Sequence, residues 1–220
     1  MQADQNENAK AEGARRPLAS RQTGWASAAL RILLKTGLSA NQISFIGIIF
    51  SAIGAAAMLY APGMALLWLL GALCIQLRLM ANMMDGLVAV EGGKGGPTGA
   101  IWNEAPDRIE DSLFLVAFGY AIGFGWLGWL AALLAALAAY TRLLGGTLGL
   151  PQDFVGPMAK PHRMAALTLG CVIAFGETMF TEAYLLSAVL LFAIALGTAY
   201  TIARRLMRQS KALTNGQGRR

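Results

Sequence analysis

Seven of the twelve acidic residues lie between Asp85 and Asp153, and four of those crowd into Glu104 to Asp111. Asn82 and Asp85, three apart, share a helical face. Asn103, Asp107 and Asp111, spaced by four, share another, with Glu104 and Glu110 at its edges. Both groups adjoin long apolar runs, and charges at membrane depth are costly enough that their default reading is functional. Two oxygen-bearing faces joined by a loop make a cage for a hard divalent cation, Mg²⁺ or Mn²⁺. Gly86 and Gly99 let backbone or ligand approach closely beside it. The competing reading is a set of solvated carboxylates at helix ends, with Glu104 and Asp107 complementing a helix N-terminus.

A second, basic set comprises Arg142 and the Lys160, His162 and Arg163 of AKPHR. The arginine fork suits phosphate oxygens, so Arg142, Lys160 and Arg163 form a candidate anion pocket; snorkelling to anionic headgroups is the alternative. Arg78 stands alone in an apolar run and is expected to snorkel or to pair with an acidic residue. His162 is the only histidine and is not expected to ligate metal. The run EGGKGGPTG lacks the order of a phosphate-binding loop, and no strand precedes it.

Long apolar helices must position these groups. Of 220 residues, 56% are hydrophobic and only 14% charged, against about 25% charged in soluble domains. Mean hydropathy is +0.52. Cys74 and Cys171 both lie in apolar runs, which argues against a disulfide framework or a zinc knuckle. The apolar runs predict six spans, near 43–60, 64–84, 104–122, 126–144, 163–179 and 183–203. Turns are marked by Ala61-Pro62-Gly63, the run from Gly92 to Gly99, Gly123-Phe124-Gly125, and the stretch from Pro151 to Pro161. The expected fold is an all-α integral membrane protein of six transmembrane helices behind an amphipathic interfacial helix.

Residues 1–23 are polar and read as a flexible tail. In 24–37, Trp25, Ala29, Ile32 and Leu33 fall on one helical face and Ser27, Arg31 and Lys35 on the other, the pattern of a helix lying along the interface. A membrane domain over 38–206 follows, then a basic tail over 207–220. The connections near 61–63, 123–125 and 180–182 contain no Lys or Arg, whereas the tails and the other connections carry Lys94, Lys160, Arg163, Arg204 and Arg205 among others. The positive-inside rule puts both termini in the cytoplasm, in a multi-pass protein of the cell's inner membrane. The net charge of +6 then faces anionic lipid and not nucleic acid. Small residues in LAALLAALAA suit close helix packing or a homodimer.

The stretch NMMDGLVAVEGGKGGPTGAIWNEAPD resembles the signature of the CDP-alcohol phosphotransferases, Asp-x₂-Asp-Gly-x₂-Ala-Arg-x₈-Gly-x₃-Asp-x₃-Asp. Laid on this chain without a gap it matches Asp85, Gly86, Ala89, Gly99 and Asp107. It departs at Asn82 and Asn103, where aspartates are expected, and at Val90, where arginine is expected. LSANQISFIGIIFSAIG is similar to the family's first span, with Ala40-Asn41 and Ser44 standing where that family has Pro-Asn and Thr.

The resemblance implies a divergent member that binds a CDP-linked lipid donor, with CDP-diacylglycerol the expected one, and an alcohol acceptor. It implies transfer of a phosphatidyl or other substituted phosphoryl group with release of CMP, dependent on Mg²⁺ or Mn²⁺. Residue by residue it makes Asp107 the base. Asn82, Asp85, Gly86, Ala89 and Gly99 line the nucleotide, and Arg142, Lys160 and Arg163 face an acceptor phosphate. The metal set is Asn82, Asp85, Asn103 and Asp107, with Asp111 or Glu104 replacing the charge lost at the asparagines. The alternatives are a non-catalytic relative that binds lipid or nucleotide, and a cation-coupled transporter.

Overall fold

The computed structural model describes residues 31, 34, 36–90, 98–181 and 183–217. Among them are six long helices and no strand: α1 Ala40–Tyr60, α2 Leu66–Val90, α3 Gly99–Ala121, α4 Gly125–Thr147, α5 Lys160–Phe180 and α6 Leu185–Thr214. The expected tail 1–23, most of the expected interfacial helix 24–37, and Lys94 lie outside the described residues.

Each helix starts and stops for local reasons. Ser39 caps α1 reciprocally with Gln42: the Gln42 N–H donates to Ser39 Oγ at 3.3 Å, and the Ser39 N–H to Gln42 Oε1 at 2.9 Å. A one-turn 3₁₀ segment at Ala61–Gly63 reverses the chain into α2. Gly123, at φ +84°, makes the left-handed turn between α3 and α4 that a side chain would resist.

The helices alternate in direction and close a ring in the order α1, α2, α5, α6, α4, α3, each packed on its two neighbours. The interior is filled by Met58, Trp68, Ile75, Phe114, Phe118, Met164, Leu167, Leu191 and Ile194, all fully buried. Close approach is built in where α3 meets α4: a Cβ on Gly119 would lie 2.6 Å from the Gly128 Cα. Large apolar side chains also cover the outside, among them Phe45, Ile49, Leu73, Leu133, Val189 and Phe192. Apolar outside and partly polar within is the arrangement of a bilayer protein.

Five of the six helices are long and apolar enough to cross a membrane, and the chain is a multi-pass integral membrane protein. The exception is α3, which carries Glu104, Asp107, Arg108, Glu110 and Asp111.

Two ends differ from the apolar runs. Helix α2 continues past residue 84 through Asp85 and Gly86 to Val90. Helix α6 continues past 203 to Thr214, so the first half of the expected tail 207–220 is helical. Its extension is held to α4 by polar bonds that hydropathy does not register: Arg205 Nη1 donates to the Ala138 carbonyl at 2.6 Å and Gln209 Nε2 to that of Thr141 at 2.7 Å.

Candidate active site

Helices α1, α2, α3 and α5 enclose a buried polar cluster that runs from the start of α5 to the middle of α2 and α3. On α2, Arg78, Asn82 and Asp85 stand at i, i+4 and i+7; on α3, Asp107, Glu110 and Asp111 stand at i, i+3 and i+4. Each set therefore projects from one face. Helix α1 contributes Ser44 and Gly47, and the first turn of α5 contributes Lys160 and Arg163. A Cβ on Gly47 would lie 2.7 Å from Glu110 Oε1, so glycine there makes room for the carboxylate.

Arg78 is the hub. It is the middle residue of α2, is fully buried, and lies beside Glu110, the middle residue of α3. Its Nε donates to Glu110 Oε2 at 2.5 Å, and its Nη2 to Asp111 Oδ1 at 2.9 Å and Asp107 Oδ1 at 3.2 Å. Of the two expectations for Arg78, pairing holds and snorkelling does not. An arginine enclosed at mid-helix has no water to reach, and carboxylates compensate its desolvation.

Asp107 is the most heavily engaged carboxylate. Its Oδ1 accepts from Arg78, from Asn82 Nδ2 at 2.7 Å and from the Lys160 ammonium, while Arg108 lies 3.5 Å from Oδ2. Lys160 Nζ also donates to Asn82 Oδ1 at 3.3 Å. Asp111 is clamped between Arg78 and Arg163, whose Nη2 reaches Oδ2 at 2.6 Å. Lys160 and Arg163 sit in the first turn of α5, where the helix dipole disfavours cations. Their carboxylate partners offset that cost.

Asp85 differs. It is 5% exposed, and its Oδ2 accepts from the Ser44 hydroxyl at 2.7 Å. The Gly86 N–H also helps to hold the carboxylate. Oδ1 is buried without a hydrogen-bond partner, and Asp85 makes no ion pair among the described residues. Arg78 Nη1 and Arg163 Nε are likewise buried and unpartnered. A buried ionisable group left so is costly, and in a native site it marks a place that something else completes.

The structure brings Asn82, Asp85, Asp107 and Asp111 together, adds Lys160 and Arg163, and leaves other expected members out. Asn103 is exposed and stands outside the hydrogen-bond network. Glu104 turns to α4, where Arg142 Nη2 donates to both its oxygens at 2.6 Å, and Arg108 bonds it at 3.1 Å. Asp111 and Glu104, the expected replacements for a missing metal ligand, are each held by arginines. Among the described residues no group of three His, Cys, Asp or Glu side chains forms a ready metal cage. Arg142, Lys160 and Arg163 each hold a different carboxylate, Glu104, Asp107 and Asp111 respectively. Arg142 also bonds Gln152 at 2.8 Å and stacks over Phe154 at 5.1 Å.

Gly86, Ala89 and Gly99 flank the cluster at the end of α2 and the start of α3, half-buried. A Cβ on Gly99 would meet open space, so packing alone does not require glycine there. An apolar cleft of about 390 Å³ between α3 and α4 borders Glu104 and Arg108 and is walled by Ala136 and Tyr140.

The ring of six helices matches solved structures. A crystal structure of Mycobacterium tuberculosis phosphatidylinositol phosphate synthase in complex with manganese and citrate superposes with a TM-score of 0.69 at 20% identity, over 83% of this chain and 87% of that one. The same enzyme with CDP-DAG bound gives 0.66 at 20% identity, over 83% and 92%. Its apo form gives 0.67 at 22% identity, over 82% and 93%. This chain has their fold. No protein-family model matches its sequence, and no curated protein does.

Proposed function

We propose that this protein belongs to the CDP-alcohol phosphotransferases and transfers a phosphatidyl or other substituted phosphoryl group from a CDP-linked lipid to an alcohol. The observation that carries the reading is the position of Asp85 and Asp107. The two aspartates that survive from the signature face one buried cluster, and Asp85 keeps a free oxygen there. The similar enzyme's structures hold manganese in one case and CDP-DAG in another, which supports a divalent ion and a CDP-lipid donor here.

The residues fit such an ion. Mg²⁺ sites commonly use one or two carboxylates, with water and substrate phosphates completing the shell, and a buried carboxylate oxygen without a partner suits that design. Asp85 would hold the ion through Oδ1, with the neutral oxygen of Asn82 and the carboxylate of Asp107 as the further candidates. A bound Mg²⁺ or Mn²⁺ would neutralise charge on the diphosphate and on the departing CMP. The protein's own part is to place the donor beside Gly86, Ala89 and Gly99 and to take up a proton. As the acceptor oxygen bonds to the lipid-bearing phosphorus, the bond from that phosphorus to the CMP oxygen breaks. The hydroxyl proton passes to Asp107. The acceptor binds on the side of Arg142, Lys160 and Arg163, and an acceptor phosphate would have to displace their carboxylates. The acidic cluster, which burdens α3 with charge, is also why we read α3 as a sixth span shielded by its neighbours, with both termini cytoplasmic.

One observation favours a non-catalytic relative instead: Asp107 is already held by Arg78, Asn82 and Lys160. Incubating the purified protein with labelled CDP-diacylglycerol and a panel of alcohols separates the two readings. CMP release that needs an alcohol and is lost in EDTA supports the transferase; no release with any alcohol supports the non-catalytic relative.

A further inference from the structure

We propose that the Lys160 ammonium is a built-in cation of this site, so that each chain takes up a single divalent ion, at Asp85. The inference rests on the transferase reading and refines its metal requirement.

Charge comes first. The cluster sets the buried carboxylates of Asp85, Asp107, Glu110 and Asp111 against the buried cations Arg78 and Arg163 and the half-buried Lys160, with Arg108, shared with Glu104, at its edge. Arg78 serves Asp107, Glu110 and Asp111; Lys160 serves Asp107; Arg163 serves Asp111. Three of the negative charges are thereby matched within the protein. The fourth, on Asp85, accepts from a neutral hydroxyl and a backbone N–H, and it feels the Lys160 ammonium through space without pairing with it. The carboxylate without an ion pair is also the one that, among the described residues, has a buried, unpartnered oxygen.

Geometry then excludes a second ion from the neighbouring position. Lys160 Nζ lies against Asp107 Oδ1 and within 3.3 Å of Asn82 Oδ1, on the two oxygens a bridging ion would use. Mg²⁺ ligated by both would stand at about 2.1 Å from each, in the space the ammonium fills. Asn82 is matched to that ammonium. Its NH₂ donates to Asp107 while its carbonyl accepts from Lys160, so both ends of the amide are used. An aspartate at 82 would set a second acceptor against Asp107 and leave that carboxylate short of a donor. The Asn82 substitution and the placement of Lys160 are therefore two parts of one arrangement, which trades a mobile divalent ion for a tethered monovalent one. A diphosphate arriving at Asp85 would meet one bound ion and one ammonium, and an ammonium drawn to the phosphate would uncover Asp107.

The test counts Mn²⁺ bound to the full-length protein in detergent, by electron paramagnetic resonance of the free ion. Wild type is expected to bind one ion per chain and Asp85→Ala none. Lys160→Met should tighten the single site roughly tenfold, because a like charge a few ångströms away has been removed. Asn82→Asp combined with Lys160→Met should bind two ions. Lys160→Arg keeps the charge and should still bind one, which guards against a folding defect in the methionine variant. Two ions on wild type, none on wild type, or unchanged binding by Asp85→Ala would each overturn the proposal. CMP release is measured separately. A wild type with two ions that still releases CMP defeats this inference alone, and one with a single ion that never does defeats the transferase reading alone.

Discussion

Glu177 and Asp85 are both 5% exposed, yet the bundle treats them in opposite ways. Glu177 lies seventeen residues along α5 from Lys160, about 25 Å away at the rise of an α-helix. Its Oε1 accepts from the Leu186 N–H at 2.7 Å, and its Oε2 from the Ser187 N–H at 3.2 Å and the Ser187 hydroxyl at 2.5 Å. It caps the otherwise uncapped N-terminus of α6, a favourable place for negative charge. Nearby, the Trp68 indole donates to Thr178 and Tyr184 bonds the same hydroxyl. That end of the molecule is complete in itself. Asp85 has one oxygen left over, and Arg78 and Arg163 each have an unused donor. A closed polar cluster holds elements in place, whereas an open one is stabilised fully only when something else enters it.

The largest effect expected from this contrast is catalytic. Replacing Asp107 with alanine removes the base and should lower CMP release by about 10²–10⁴-fold, with the folded protein still monodisperse in detergent. An Asp107→Ala protein that transfers at the wild-type rate would break the catalytic half of the comparison.

Arg78 should behave as both kinds of residue at once. Methionine at 78 strands Glu110 in the interior and takes one partner each from Asp107 and Asp111, and breaking a buried ion pair from one side costs about 3–5 kcal/mol. A thermal-denaturation midpoint in detergent measures the loss. Removing Glu110 together with Arg78, as Arg78→Met with Glu110→Gln, should recover part of it. A double variant no more stable than the single one would show that Arg78 is not holding α2 to α3 through Glu110.

These two residues also show what could be read from the chain and what could not. Apolar runs located the helices, α3 through its apolar second half, because the length and hydropathy of a run are local properties. Asp85, Asp107 and Asp111 were legible because helical spacing puts them on faces whatever the tertiary packing. Arg78 shares that spacing with Asn82 and Asp85, four and seven residues on, and the pattern was available. Its role as hub was hidden because the partners, Glu110 and Asp111, come from another helix. The Lys160–Asp107 and Arg142–Glu104 pairs are non-local in the same way: residue types identify both partners as charged, and only the ring of helices decides which meets which. Local pattern was blind to Glu177 as well, since a cap supplied from the preceding helix leaves no trace in the first turn of α6.

Glu177→Ala should give a moderate and purely structural effect. Two backbone donors and a hydroxyl lose their acceptor, at a cost of about 1–3 kcal/mol, while CMP release per folded molecule stays at the wild-type rate. A variant that keeps its melting temperature but loses transfer would reverse the assignment of the two carboxylates.

The smallest effect sharpens the comparison inside the site itself, between its two asparagines. Asn82 bonds Asp107 and Lys160 and is half-buried, whereas Asn103 is exposed and outside the network. Both stand where the signature has aspartate, and spacing alone treats them alike. Substitutions at exposed positions that make no specific contact usually change stability by less than about 0.5 kcal/mol. Asn103→Ala should accordingly leave the melting temperature unchanged and alter the metal concentration for half-maximal activity by no more than about twofold, that same energy expressed as a ratio. Asn82→Ala, which leaves Lys160 and Asp107 without the amide between them, should shift it by considerably more. Titrating CMP release against Mn²⁺ for the two variants side by side decides the matter. A larger shift for Asn103→Ala would mean that Asn103 turns inward to ligate the ion when the donor is bound, and that the cluster closes around its substrate by moving the start of α3.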